Sequence, residues 1–141
     1  MCRAVPTTVY NLIALPPQAA LAMEKINLAD KLALFTEHWS PKIVAELNGQ
    51  HVKLAKLMGE FDWHHHEHED ELFLVLRGTL AMHLRDRVVN LAEGELFVVP
   101  RGVEHRPVAA EECHVLLFEP ASTLNTGNVQ SKRTVDRPDW I

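Results

Sequence analysis

The stretch WHHHEHEDELFLVLRG, residues 63–78, decides the fold of this chain because it joins a histidine-rich cluster directly to a short apolar strand. Residues 63–71 alone hold four of the chain's nine histidines, interleaved with carboxylates. Imidazole mixed with carboxylate suits manganese, iron, cobalt, nickel or zinc, whereas an oxygen-only ligand set would suit calcium or magnesium. The stretch therefore predicts a transition-metal site.

Strand geometry divides the clustered histidines into two sets. On an extended segment successive side chains point to opposite faces, so His64, His66 and His68 share one face while His65 and Glu67 share the other. Two or three imidazoles could then converge on one ion. We assign His65 and His68 to the surface or to contacts around the ligands, with His68 as the alternative to His64 or Glu71 in the ligand set.

Glu71 can join these histidines only if the chain turns. Glu71 is an odd number of residues away from them, so on a continuous strand its side chain would point to the opposite face. The dense acidic run between Glu67 and Asp70 favours a turn that would bring it back. Beyond it, a strand would present Glu71, Phe73 and Val75 to the interior. Phe73 and Val75, together with Phe97 and Val99 of a later strand, would form the apolar wall beside the carboxylate.

The flanking sequence predicts an all-β domain preceded by one short helix. Asn27 is a candidate N-cap for a helix that reaches about Glu37, and Asn48-Gly49 predicts a hairpin turn between strands at 43–47 and 51–58. Turn signals, including one at 109–112, separate six further short strands. The strands are predicted at 71–76, 79–84, 88–91, 95–99, 104–108 and 114–118. The pattern favours a single-domain antiparallel sandwich or barrel, with a jelly roll among the forms. The predicted organisation is an N-terminal arm at 1–26, the helix and barrel at 27–120, and an irregular C-terminal arm at 121–141.

Composition narrows the range of partners. The chain has 141 residues and a net charge of −5, and no block of lysine and arginine suggests a nucleic-acid partner. Residues 4–23 lean apolar, but prolines and polar residues interrupt them, so we expect an arm over the surface rather than a secretion signal or a membrane span. These features predict a cytoplasmic protein with a small-molecule ligand.

A second motif lies downstream, in the sequence GELFVVPRGVEH at residues 94–105. A glycine opens a strand, and a turn of proline and glycine returns the chain so that His105 lies on a neighbouring strand. With this motif the chain resembles the cupin superfamily, whose two motifs place a glycine, two histidines, a glutamate, a proline and a third histidine at fixed spacings. Two positions differ from the family pattern. Only four residues separate Gly59 from His64, where the family has five, and Ala109 stands in place of a final asparagine. The matching residues are His64, His66, Glu71, Gly78, Gly94, Pro100, Gly102 and His105.

The resemblance implies a jelly-roll β-barrel, generally dimeric, with one divalent metal ion per chain inside it. The implied ligands are His64, His66, Glu71 and His105, and the ion could be manganese, iron, nickel, cobalt or zinc. Four protein ligands leave about two positions open on an octahedral ion. Asp70, Glu69 and Glu67 are the nearest candidates to accept the second ring N–H of the ligating histidines.

Fold alone leaves three functions open. The first is a metalloenzyme of the dioxygenase or the sugar or metabolite isomerase type, in which the ion itself would orient and polarise the substrate. The second is a non-catalytic protein that uses the ion to bind or sense a small ligand. The third is a metal-free deoxysugar epimerase with a His–Asp pair, which the retained metal-type ligands disfavour. A homodimer fits all three, with Leu28, Leu32 and Phe35 either at the dimer contact or against their own barrel.

Overall fold

The computed structural model describes residues 23–141, so most of the predicted arm at 1–26, including the candidate secretion signal, lies outside the described residues. The described chain contains one short helix, α1, and seven strands. Most predicted strand boundaries are confirmed to within two residues. The elements are α1 Leu28–Leu32, β1 Lys42–Leu47, β2 Gln50–Glu60, β3 Glu71–Arg77, β4 Leu80–Leu84, β5 Val88–Leu91, β6 Leu96–Val99 and β7 His105–Pro120.

The strands form one antiparallel sheet that folds around a core, as expected for the predicted jelly roll. Its main order is β1-β2-β7-β3-β6, while β4 joins the first half of β7 and β5 joins β4. Apolar side chains that alternate along the strands fill the interior. The largest group of buried residues includes Leu57, Phe73, Val75, Met82 and Val115.

The hairpin between β1 and β2 confirms the prediction at Asn48-Gly49. Leu47 pairs with Gln50, which leaves a two-residue loop. Asn48 and Gly49 both have positive φ, at 51° and 74°. A two-residue loop that matches the twist of its strands requires positive φ at both positions, which asparagine and glycine tolerate.

The predicted turn at 109–112 is wrong, because β7 runs through it as one strand of 16 residues. The register against β2 shifts there, from Leu57 opposite Cys113 to Gly59 opposite Ala109. The extra residues form a bulge, which bends a strand without ending it. The exposed residues at 110–112 resemble a turn in the sequence. In the fold they lie where β7 stops pairing with β4 and begins to pair with β3.

The N-terminal helix is shorter than predicted. Asn27 caps it as expected, since its side chain accepts from the Asp30 backbone N–H at 3.0 Å. The helix ends at Leu32 rather than near Glu37, and the chain then extends so that Phe35 is buried beside Val44 and Leu54 of the barrel. Leu28 and Leu32 lie against the same cluster. In the described chain these apolar residues pack on their own barrel.

The C-terminal segment is irregular, as predicted, but it is tied to the barrel near the histidine cluster. Asn128 forms two hydrogen bonds with the backbone of His65, at 2.9 and 3.0 Å. Ser131 and Arg133 donate to the carboxylate of Asp62 at 2.8 and 3.2 Å. The segment therefore lies over the part of the chain that carries the first two predicted ligands.

Candidate metal centre

The four predicted ligands converge in the interior of the barrel. One ligand atom from each of His64, His66, Glu71 and His105 lies within 4.8 Å of the other three, and all four side chains are buried. His64 and His66 lie on the segment between β2 and β3, Glu71 opens β3 and His105 opens β7. The group could hold a metal ion, and it is the one such group found in residues 23–141.

Backbone pairing and a bend bring these residues together. His64 and His105 exchange two backbone hydrogen bonds, at 3.1 and 2.9 Å, which fixes the two halves of the site side by side. The chain bends at Glu67 and His68. This bend restores Glu71 to the interior face and confirms the predicted turn between Glu67 and Asp70.

Hydrogen bonds orient two of the imidazole rings. Nδ1 of His64 lies 2.9 Å from the carbonyl oxygen of Asp62, and Nδ1 of His105 lies 2.9 Å from that of Val103. A carbonyl oxygen only accepts, so each Nδ1 carries the hydrogen and Nε2 is the nitrogen left for an ion. These acceptors are backbone groups and not the acidic side chains proposed from the sequence, because Asp70 instead pairs with Arg101.

The electrostatics of the cluster favour the protonation states that bind metals. Burial and the neighbouring His105 lower the pKa of His64 to about 4, so its imidazole is neutral at pH 7. Burial alone would raise the pKa of Glu71, but hydrogen bonds from His105 and His66 outweigh it and hold the pKa well below its usual value. The Glu71 Oε2 atom lies 3.1 Å from Nε2 of His66 and 3.2 Å from Nε2 of His105. Neutral imidazole and ionised carboxylate are the ligand forms of divalent transition ions, so the residues fit such an ion.

The remaining histidines lie away from this cluster. His65 is half-buried, and His68 is exposed next to the bend, so neither joins the four convergent side chains. His83 lies 3.5 Å from Arg106, and His114 lies 2.8 Å from Glu112. The positions of His65 and His68 agree with their assignment to the surface or to contacts around the ligands.

Arg106 and Trp63 also point away from the cluster. Arg106 follows His105 on β7 and therefore occupies the opposite face of the strand. Its guanidinium pairs with Glu60 at 3.2 Å and lies 5.3 Å from the ring of Trp63. Trp63 stacks more closely against Arg85, at 3.8 Å. The two residues thus belong to a cation–π cluster outside the cavity.

A narrow cavity of about 30 Å³ adjoins the cluster. His64, Glu71, Glu119 and Asn125 are among its polar lining residues, and most of the rest are apolar. Of the wall proposed from the sequence, Phe73 lines this cavity, whereas Val75, Phe97 and Val99 lie elsewhere in the core or at its margin. Other apolar lining residues are Trp39, Ala55, Leu57, Phe61 and Leu117.

Trp39 is the least expected of these wall residues, because its backbone adopts a positive φ of 58°. Bulky residues avoid this region unless the surroundings fix them there. The indole N–H donates to the Met58 carbonyl at 2.9 Å, and the ring stacks on Phe61 at 4.7 Å. These contacts hold the indole against the cavity.

Two charged residues of the interior were missed from the sequence. Lys53 and Glu119 form an ion pair at 2.8 Å, and their side chains are only 2% and 1% exposed. Lys53 shares the interior face of β2 with Ala55 and Leu57, and Glu119 shares that of β7 with Leu117. Strand parity was the available signal, but the last strand was predicted to end at 118, one residue before Glu119.

Comparisons with known proteins identify the class that this barrel and site define. A family model described as a cupin domain matches residues 50–119. The solved structure of a cupin-2 domain containing protein from Shewanella frigidimarina is 49% identical, and the alignment covers 67% of this chain and 93% of that one, with a TM-score of 0.67. Protein NMB1881 from Neisseria meningitidis is 35% identical over 70% of this chain and 100% of its own, with a TM-score of 0.64.

This chain belongs to the cupin family. A curated relative, the uncharacterized protein YdbB of Bacillus subtilis, is 41% identical over 64 residues, which are 45% of this chain and 57% of YdbB. The match thus spans little more than half of that relative. Within residues 23–141, no helix is long and apolar enough to cross a membrane.

Proposed function

We propose that the protein binds one divalent transition metal ion per chain through His64, His66, Glu71 and His105, and uses it to act on a small molecule. The observation that carries this proposal is the convergence of four buried ligand atoms within 4.8 Å of one another. Burying four such groups together is costly unless they pair or bind an ion. Manganese, iron, cobalt, nickel and zinc all suit this donor set.

A bound ion would supply Lewis-acid polarisation of a substrate oxygen or, if it is iron, redox chemistry with dioxygen. The chain's own residues would hold and shield the site. The carbonyl oxygens of Asp62 and Val103 fix two imidazole rings, and the apolar side chains of Phe73 and Leu117 limit water in the adjoining cavity. This arrangement supports a metalloenzyme of the dioxygenase or isomerase type.

Ligand binding without turnover is the second candidate. The cavity of about 30 Å³ accommodates only about two water molecules or one small functional group, so it limits the size of the ligand in either function. A metal-free epimerase is the least supported of the three functions, since it would not require three histidines around one buried carboxylate.

We also propose a cytoplasmic location, and a second copy of the chain as partner. The edge strand β6 supports the latter, since its exposed Leu96 and Val98 offer an apolar surface.

Replacing one ligand tests the metal centre. We expect His105→Ala to lose stoichiometric metal binding, because it removes a buried ligand and leaves a cavity, while the barrel still folds. His65→Ala is the matched control, since His65 is a neighbour in sequence that lies outside the cluster. Metal content per chain, measured with circular dichroism as a check of folding, gives the result. Equal metal content in both variants would refute the ligand set.

Turnover separates the two candidate functions. Protein reconstituted with iron is screened with candidate small molecules for dioxygen consumption, and protein with manganese, nickel or zinc is screened for isomerised product. Turnover that disappears in His105→Ala supports the enzyme. Ligand-induced thermal stabilisation without any product supports the binding protein.

A further inference from the structure

The cavity beside the metal centre meets the solvent at Trp39 and Asn125. Among the described residues that line it, these two are partly exposed and all the others are buried. His64 and Glu71 line the same cavity. A molecule that reaches these two ligands through the cavity therefore has to pass Trp39 or Asn125.

Asn125 is the fixed side of this opening. Its Nδ2 atom donates to the Arg133 carbonyl oxygen, and its Oδ1 atom accepts from the Val135 backbone N–H, each at 2.8 Å. Both polar atoms of the amide are thus bound to the C-terminal segment. Asn125 could move only together with part of that segment.

Trp39 combines a fixed backbone with a ring that is held by few contacts. Its backbone N–H donates to the Lys56 carbonyl oxygen at 2.9 Å. The indole has one hydrogen bond, to the Met58 carbonyl, and one ring stack, on Phe61. Rotation about the side-chain bonds would break these two contacts and leave the backbone in place. The indole is therefore the movable side of the opening.

The backbone of Trp39 supports a functional role for its side chain. Its φ of 58° is unfavourable for a bulky residue, and strain of this kind is concentrated at sites where ligands bind. A glycine would adopt the same conformation without strain. The fold therefore carries a conformational cost to place an indole at the mouth of the cavity.

The space that a ligand can use depends on the position of this ring. With the indole in place, the cavity of about 30 Å³ holds about two water molecules or one small functional group. Displacement of the indole would extend the same space to the solvent. One side chain thus separates a small closed cavity from a larger open one.

We infer that the indole of Trp39 is the gate of the cavity, and that it determines the size of the molecules that reach the metal centre. The inference rests on the proposed function and adds a specificity-determining residue to it. A molecule that consists of one small polar group fits the closed cavity. A larger molecule binds only after the ring has turned aside, so its apparent affinity is reduced by the fraction of molecules in which the gate is open.

Trp39→Gly tests the gate, because it removes the indole and suits the positive φ of the backbone. Trp140→Ala is the matched control, since Trp140 is 58% exposed and lies outside the cavity. The probes are formate and benzoate, which bind an ion through the same carboxylate group and differ by a phenyl ring. Their affinities for the cobalt-loaded proteins are measured from the visible absorption of the ion, and cobalt content is determined on the same samples.

We expect the wild type and Trp140→Ala to bind formate about ten-fold more tightly than benzoate, because the phenyl ring must displace the indole. In Trp39→Gly the affinity for benzoate should rise about ten-fold, since the gate is then always open. The affinity for formate and the cobalt content should stay the same in all three proteins.

Three results would overturn the gate and leave the metal centre intact. They are a cobalt-loaded wild type that does not distinguish the probes, a Trp39→Gly variant with wild-type selectivity, and an equal gain of benzoate binding in Trp140→Ala. A wild type that binds no cobalt would overturn both the gate and the proposed function.

If Trp39→Gly does not fold, Trp39→Phe decides the question. It keeps a ring that can stack on Phe61 but removes the N–H that binds the Met58 carbonyl. The gate should then open more easily, so benzoate should bind more tightly than to the wild type. An unchanged affinity for benzoate in Trp39→Phe would contradict the role given to the indole.

Discussion

Burial of His64 links the protonation of the cluster to the stability of the fold. The pKa of His64 is lowered from 6.5 to about 4 by burial and by the nearby His105. The neutral ring donates from Nδ1 to the Asp62 carbonyl, as a metal ligand at Nε2 requires. The same burial that prepares this ligand therefore favours the neutral form over the charged form of the residue.

This shift predicts a loss of stability in acid for the metal-free protein. Between pH 6.5 and 4 the unfolded chain takes up a proton at His64 that the folded chain does not, so the free energy of unfolding falls as pH falls. The contribution is about 3 kcal/mol across the interval. Urea denaturation in the presence of a chelator, at pH 7 and pH 4.5, measures it.

The variant His64→Gln provides the control, because it cannot take up this proton. Its free energy of unfolding should depend less steeply on pH between 6.5 and 4 than that of the wild type. Identical slopes for the two proteins would mean that His64 titrates normally in the fold.

At the scale of elements, the segment after β7 covers the first half of the candidate site. Gly127 comes so close to the chain there that an added Cβ would lie 2.2 Å from the His65 carbonyl oxygen and 3.1 Å from Cδ2 of His64. Asn128 next to it forms the two hydrogen bonds with His65. This glycine therefore permits a close approach that no other residue could make.

Gly127→Ala should consequently destabilise the protein and weaken metal binding, because either the segment or the His64–His65 backbone must move. Overpacking of this kind costs about 1–3 kcal/mol. Gly94→Ala is the matched control: its φ is also positive, at 80°, but an added Cβ would meet no atom within 4 Å. Chemical denaturation and metal titration of both variants give the comparison, and equal metal affinity for the two would contradict the covering role.

Sequence patterns predicted the elements that depend on neighbouring residues. They failed where an element depends on residues that are distant in the sequence. Local signals were sufficient for the Asn48-Gly49 hairpin and for the turn that restores Glu71 to the interior. The continuity of β7 depends on its two partner strands, so the polar residues at 110–112 were wrongly interpreted as a turn. Phe35 followed the helical spacing but reaches the core from an extended segment.

The same limit applies to the candidate site. The two motifs identified four residues that the fold brings together, because their spacing reflects strand pairing within one barrel. Lys53 and Glu119 carry no motif, and a lysine in an amphipathic strand is ordinarily exposed. Strand parity alone would place them on the interior face, and their burial in the fold confirms that position.

At the scale of the whole molecule, one site connects several strands of the barrel. Glu71 opens β3 and His105 opens β7, while His64 and His66 lie on the connection from β2. An ion bound by all four would tie these parts together in the folded state only. Binding would therefore be linked to the stability of the entire barrel.

This linkage predicts that metal raises the melting temperature of the wild type. At a free metal concentration of about 100 times Kd, the stabilisation should be about 2.7 kcal/mol, and a chelator should reverse it. Glu71→Gln removes the buried carboxylate ligand, so its melting temperature should respond little to the same metal. An equal response of the variant would show that the metal acts at another place.

Elemental analysis of the untagged wild-type protein, purified without added metal, is the decisive measurement of the metal centre. We expect about one transition metal ion per chain, released only after the histidines are protonated or a strong chelator is added. Protein that contains no transition metal and takes up none when manganese, iron, cobalt, nickel or zinc is supplied would contradict it.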